Sequence, residues 1–117
     1  MMAVINIKRA YEPSEKSDGF RILVDRLWPR GIKKEDAHFD VWLKEIAPST
    51  ELRKWFNHET EKWEEFRKKY KAELKDSEAL KELSALLKEH KTITLVYGAK
   101  DEQHNQAVAL KEFLHEK

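Results

Sequence analysis

Ala3, Ile5 and Ile7 alternate with Val4, Asn6 and Lys8. This period of two predicts a first strand that ends at Lys8-Arg9. The segment Tyr11 to Gly19 is polar and turn-rich, with room for one helical turn after Pro13. Phe20 to Leu27 is almost continuously apolar through its first half, the pattern of a strand covered on both faces in a parallel sheet. Gly31 then suits a turn residue with positive φ. Trp42, Leu43 and Ile46 have helical spacing and predict a helix that stops at Pro48. Ser49 or Thr50 can cap a short helix carrying Leu52, Trp55 and Phe56. Trp63, Phe66, Tyr70 and Leu74 recur at i, i+3, i+7 and i+11, which predicts a helix from about Thr60 to Lys75. Asp76-Ser77-Glu78 is a helix start, and Leu80, Leu83 and Leu87 carry that helix to about His90. Thr92 to Tyr97 is the third strand, closed by Gly98. Asp101 is the expected N-cap of a last helix carrying Ala107, Leu110 and Leu114. The layout is α/β, with about three mainly parallel strands and flanking helices in one domain over residues 1–117.

Composition narrows the classes. The chain has 117 residues, enough to bury a real core in one domain. Charged residues make up 38%, yet 4 Trp and 5 Phe are too many for a disordered chain. With Cys 0, disulfides, thiolate metal sites and a cysteine nucleophile are all excluded. No apolar run approaches the roughly 18 residues of a membrane span, and the start Met-Met-Ala-Val-Ile-Asn lacks a signal-peptide layout, so a cytoplasmic protein is expected. Lys+Arg 23 against Asp+Glu 22 is nearly balanced, which counts against a dedicated nucleic-acid domain. A homo-oligomer is compatible with all of this.

Chemistry gathers where the strands end. In open α/β sheets, ligands bind outside the carboxyl ends of the strands. Parallel strands would bring Lys8-Arg9, the run Asp25-Arg26-Leu27-Trp28-Pro29-Arg30-Gly31 and the run Gly98 to Asn105 to one edge. The weak joint is the first connection, which is short for a parallel crossover; an antiparallel hairpin would send Arg9 to the opposite edge. Asp25-Arg26 alone would read as a strand-end ion pair and Trp28 as core cover. The second arginine, the indole and the turn raise the case for an anion site, since guanidinium forks bind phosphate or carboxylate. Arg26, Arg30 and Arg53 are the expected anion ligands, with Arg9, Lys100 and Asn105 at the rim. Trp28 would pack on the ligand body. Asp25, His104 and His58 are the candidate acid/base groups. Asp101 combines the capping role with a place at the site edge. Asp101 and His104, at i, i+3, could share a metal ion, but with no third ligand in sequence no metal site is expected.

The strings Arg21-Ile-Leu-Val-Asp-Arg-Leu-Trp-Pro-Arg-Gly31, Trp42 to Phe56 and Tyr97-Gly-Ala-Lys-Asp-Glu-Gln-His-Asn105 resemble the YeaO-like branch of domain-of-unknown-function family 488, over essentially the whole chain. The resemblance implies a small Rossmann-like α/β domain and brings no established activity or cofactor. Relatives in the broader family often carry a Cys-His-Arg-like element near the third strand. Here that region holds His104-Asn105-Gln106, so their thiol chemistry does not transfer.

Two functions follow. The first is binding of a small anionic, phosphate- or carboxylate-bearing ligand or nucleotide at the strand ends, with room for acid/base chemistry. The second is a non-enzymatic binding module for nucleic acid or a protein partner on the same Arg/Trp edge. Phosphate-loop, dinucleotide and nucleophile-elbow patterns are missing, since the chain has only Gly19, Gly31 and Gly98.

Overall fold

A computed structural model describes residues 3–116, so the first two residues of the N-terminal reading lie outside it. Four strands form one parallel sheet: β1 (Val4–Arg9), β2 (Phe20–Leu23), β3 (Val41–Trp42) and β4 (Thr92–Tyr97). Their order is β1-β4-β2-β3, and every pairing is parallel. The helices are α1 (Lys34–Ala37), α2 (Thr50–Phe56), α3 (Trp63–Leu74), α4 (Glu78–Glu89) and α5 (Gln106–Glu116). The architecture is that of a small Rossmann-like α/β fold.

The strand order resolves the short first connection. β1 and β2 are not neighbours; β4 lies between them and pairs with both. Residues 10–19 carry the chain back along the sheet through a 3-10 turn at Lys16–Asp18, and Gly19 makes the entry into β2. Gly19 has φ +67, and a Cβ there would sit 2.4 Å from the carbonyl oxygen of Thr92. Only glycine fits so close a pass. Arg9 therefore ends on the same edge as Asp25 and Gly98.

Period-two alternation divides the sheet into two unlike faces. Ile5, Ile22, Val24, Ile93, Leu95 and Tyr97 belong to the main core, which α2, α3, α4 and α5 cover with Leu52, Phe66, Leu83 and Leu110 among others. Leu23 and Val96 point the other way and pack with Ala10, Trp28, Ile32 and Phe39. The moves from β1 to β2 to β3 run in one direction and the return to β4 in the other, so right-handed crossovers put their connections on opposite faces.

Several elements differ from the sequence expectation. Trp42 to Ile46 is not a helix: Val41–Trp42 is a short fourth strand, and Lys44–Ile46 is a 3-10 turn. A β-branched and an aromatic residue favour the strand, and Leu43 N–H extends the pairing by donating to Leu23 O at 3.0 Å. The i, i+3 burial of Leu43 and Ile46 fits a 3-10 turn as well as an α-helix. The β2 ladder stops at Leu23, short of Leu27, although Val24 N–H still reaches Val96 O at 2.9 Å. The last helix starts at Gln106, and Asn105 caps it through Val108 N–H at 3.1 Å. Ser49 and Ser77 cap α2 and α4 as expected, and Gly31 has φ +80. Among the described residues no helix is long and apolar enough to cross a membrane.

The second face holds a buried charge network. Arg21 and Asp18 are 4% and 6% exposed and form a close ion pair, while Lys8 Nζ lies 3.1 Å from Asp18 Oδ1. Burial alone pushes the Asp18 carboxyl up, but the Glu15 N–H, Lys8 and Arg21 outweigh it and hold it below the ordinary value. Asp18→Ala would strand the buried Arg21 guanidinium and leave Lys8 with Glu15 alone, an expected loss of about 3–5 kcal/mol. Equilibrium denaturation at neutral pH measures it; a loss within the error of the fit would mean that water replaces Asp18.

Candidate functional site

The carboxyl ends of β2 and β4, the start of α5 and the end of α2 surround a cavity of about 240 Å³. Asp25 lines it, half-buried and held by several partners. Its Oδ2 accepts the Gly98 N–H at 2.8 Å, its Oδ1 accepts the Gln106 side-chain amide, and its carbonyl accepts Trp42 Nε1 at 2.7 Å. One carboxylate thus joins β2, β4 and α5. Gly98 makes this possible, because a Cβ there would stand 2.9 Å from Asp25 Oδ2. Phe56 and Phe66, stacked at 4.4 Å, form the apolar wall with Pro48 and Leu27.

Six of the eleven residues expected from sequence line this cavity: Asp25, Arg26, Arg53, His58, His104 and Asn105. Their duties differ. Arg26 is committed to the protein, with Nε 3.2 Å from Pro48 O, Nη2 3.1 Å from Ala47 O and Nη1 3.7 Å from Glu45 Oε2. Asn105 is buried and holds the entry to α5, donating to Asp101 O at 2.8 Å. The side chain of the exposed Arg53 makes no hydrogen bond or ion pair among the described residues, and it is felt at Asp25 only as a through-space attraction. His58 is brought to the rim by two successive left-handed residues, Asn57 at φ 45 and His58 at φ 56. Asn57 is the C-cap of α2, where Asn takes that conformation readily, and His58 continues it.

The other five stand outside. Trp28 belongs to the cluster on the second face, against Phe39 and Trp42, with Nε1 bonded to Ile32 O at 2.6 Å. It covers the core and does not face a ligand in this cavity. Arg30 is exposed and contributes only its carbonyl, to Tyr11 OH at 2.9 Å. Arg9 ties the edge together by donating Nε to Ala99 O at 2.9 Å. Lys100 is exposed and Asp101 stands behind His104, so neither lines the cavity. The pull of consecutive charged residues in the sequence hid the fact that a bend after Val24 turns neighbouring side chains to different faces. Gln106 and Gly98 are the partners of Asp25 that sequence reasoning missed; nothing local marks them, because their role exists only once β2 and β4 are adjacent.

Asp101 does not cap α5 but caps the turn before it, accepting Gln103 N–H at 2.9 Å and His104 N–H at 3.0 Å. Its Oδ2 also lies 3.0 Å from His104 Nδ1. The Gln103 N–H foremost, then His104, hold the Asp101 carboxyl below its ordinary value. The pair orients the His104 ring, which meets Trp63 edge-on at 5.3 Å. Among the described residues no group of three or more His, Cys, Asp or Glu side chains is placed to hold a metal ion.

The sequence matches a known family over nearly its full length. The model described as the inactive DUF488-N3 subclade matches residues 4–117. The chain belongs to the DUF488 family. The uncharacterized protein YeaO of Escherichia coli K12 is 50% identical over 110 residues, covering 94% of this chain and 96% of that protein. The uncharacterized proteins Rv3073c of Mycobacterium tuberculosis and Mb3100c of Mycobacterium bovis are each 40% identical over 111 residues, covering 95% of this chain and 93% of theirs. No solved structure matches. The match to these relatives runs over nearly the full length of this DUF488 chain.

Burial is the largest influence on Asp25 and pushes its pKa up, against the Gly98 N–H, Gln106 and Arg53. A carboxyl whose folded pKa is raised binds a proton more readily in the folded state. Its contribution is therefore most favourable below the unfolded value of about 3.9 and is lost as pH rises through the folded pKa. Asp25→Asn should remove this component, flattening the pH dependence of stability just above pH 4 relative to wild type. Chemical denaturation across that window tests it, and unchanged curvature would refute the assignment. Gly98→Ala should displace the Asp25 carboxylate, seen as shifted Gln106 side-chain amide resonances; unmoved resonances would mean that the strand end yields instead.

Proposed function

We propose that this protein binds a small anionic ligand, bearing a carboxylate or phosphate, in the cavity at the carboxyl ends of β2 and β4. The observation that carries the reading is Arg53, a guanidinium on the cavity wall with no hydrogen-bond or ion-pair partner among the described residues. Guanidinium forks match the geometry of such anions. His58 at the rim and His104, oriented by Asp101, add donors on the same cavity. A cavity of about 240 Å³ lies below the roughly 300–1,000 Å³ of drug-sized ligand sites, which favours a small metabolite over a dinucleotide.

Binding without turnover fits best. The matching family model is described as an inactive subclade, and Asp25 is held by two donors rather than left free to exchange a proton. A nucleic-acid module has less support, because Arg9, Arg26 and Trp28, which would form its surface, are spent on protein contacts. A cytoplasmic setting belongs to the same reading.

Arg53→Ala should weaken phosphate or carboxylate binding about tenfold, the worth of roughly 1.5 kcal/mol from charge-assisted hydrogen bonds. Arg26→Ala should instead lower the melting temperature, because it strands the Ala47 and Pro48 carbonyls, while affinity in the folded protein is kept. Calorimetric titration of both variants beside thermal melts separates the two roles. Equal affinity for wild type and Arg53→Ala would end the reading.

A further inference from the structure

Two opposite charges line this cavity without touching each other or any counterion. Asp25 accepts only from neutral donors, the Gly98 N–H and the Gln106 amide, and forms no salt bridge among the described residues. Arg53 likewise lacks a contact partner, although its charge reaches Asp25 through space. The charged residues around them are differently placed. Arg26 is paired with Glu45 and bonded to two carbonyls, and Asp101 is occupied by His104 and two N–H groups. An ionised carboxylate offers about four acceptor sites and a guanidinium five donors. The protein uses two of the former at Asp25 and none of the latter at Arg53.

A plain anion would satisfy Arg53 but bring a second negative charge beside the half-buried Asp25, which repels it. A plain cation has the converse fault at Arg53. One molecule with both poles meets both demands. We propose that the ligand is a small zwitterion whose carboxylate or phosphate meets Arg53 and whose ammonium group meets Asp25, with a short apolar portion against Phe56 and Phe66. The inference rests on the anion reading and adds the second pole to it. Gln106 and Gly98 are positioning groups, since they fix Asp25 and leave its remaining acceptor sites for the ammonium.

Matched probes test it by calorimetry on the wild type: L-alanine against propionate, O-phosphoethanolamine against ethyl phosphate, and propylamine as the cation alone. At least one zwitterion should bind about tenfold tighter than its matched anion, and the pair that shows it identifies the anionic head. Asp25→Asn should erase that advantage while leaving the matched anion as tight or tighter, and Arg53→Ala should weaken zwitterion and anion together. Because the matched pairs are compared on the wild type, the test survives a variant that folds poorly. Anions binding as well as their zwitterions would overturn the zwitterion and leave the anion site standing. Propylamine binding as tightly as the zwitterions, or no probe binding at all, would overturn both.

Discussion

β4 is the constraint on which the rest of this molecule depends. It pairs in parallel with β1 on one side and β2 on the other, so it must be covered on both faces. Ile93 to Tyr97 are accordingly buried without a break. Parallel pairing also forces three carboxyl ends to one edge. Asp25, one residue past the last β2 contact with β4, can then accept from Gly98, one residue past β4 itself. The site is a consequence of register.

The two faces of the sheet handle charge in opposite ways. On the loop-covered face, Asp18 meets both Lys8 and Arg21, and its carboxyl is held below the ordinary value. On the helix-covered face, Asp25 meets neutral donors only, and burial drives its carboxyl up. Linkage turns this into opposite contributions: Asp18 favours the fold while ionised, and Asp25 favours it while protonated. A half-buried carboxylate left without a cation is the feature on which the ligand proposal rests, and the Asp18 pair has no counterpart to it. The sheet thus separates a paired carboxylate from one that meets no cation.

Much of the fold was legible in the sequence because the long elements have strong periods. The Trp63, Phe66, Tyr70 and Leu74 stripe became α3, and Thr92 to Tyr97 became β4 without adjustment. The run at Trp42 was misread because five residues with apolar spacing of three fit a strand followed by a 3-10 turn as readily as a helix. The candidate site was legible only in part. Asp25, Arg53, His58 and His104 meet in one cavity, as their positions beside strand and helix ends suggested. Trp28 and Arg30 adjoin Asp25 in sequence yet take no part in it, because the chain bends directly after β2. Gln106 was invisible, since its partner lies 81 residues away.

The contrast between Arg26 and Arg53 shows why composition is a poor guide to a binding site. Arg26 follows an aspartate at a strand end and lines the cavity, the two marks by which a ligand-binding arginine is usually sought. Its three nitrogen groups nevertheless face Pro48 O, Ala47 O and Glu45, so a ligand would have to compete with contacts that hold the turn before α2. Arg53 lies in an ordinary amphipathic helix and has no such obligations. Unspent hydrogen-bonding capacity, beside a half-buried carboxylate that pairs with no cation, carries more information than charge density. In this protein the two line one cavity, where the ends of β2 and β4 meet α2 and α5.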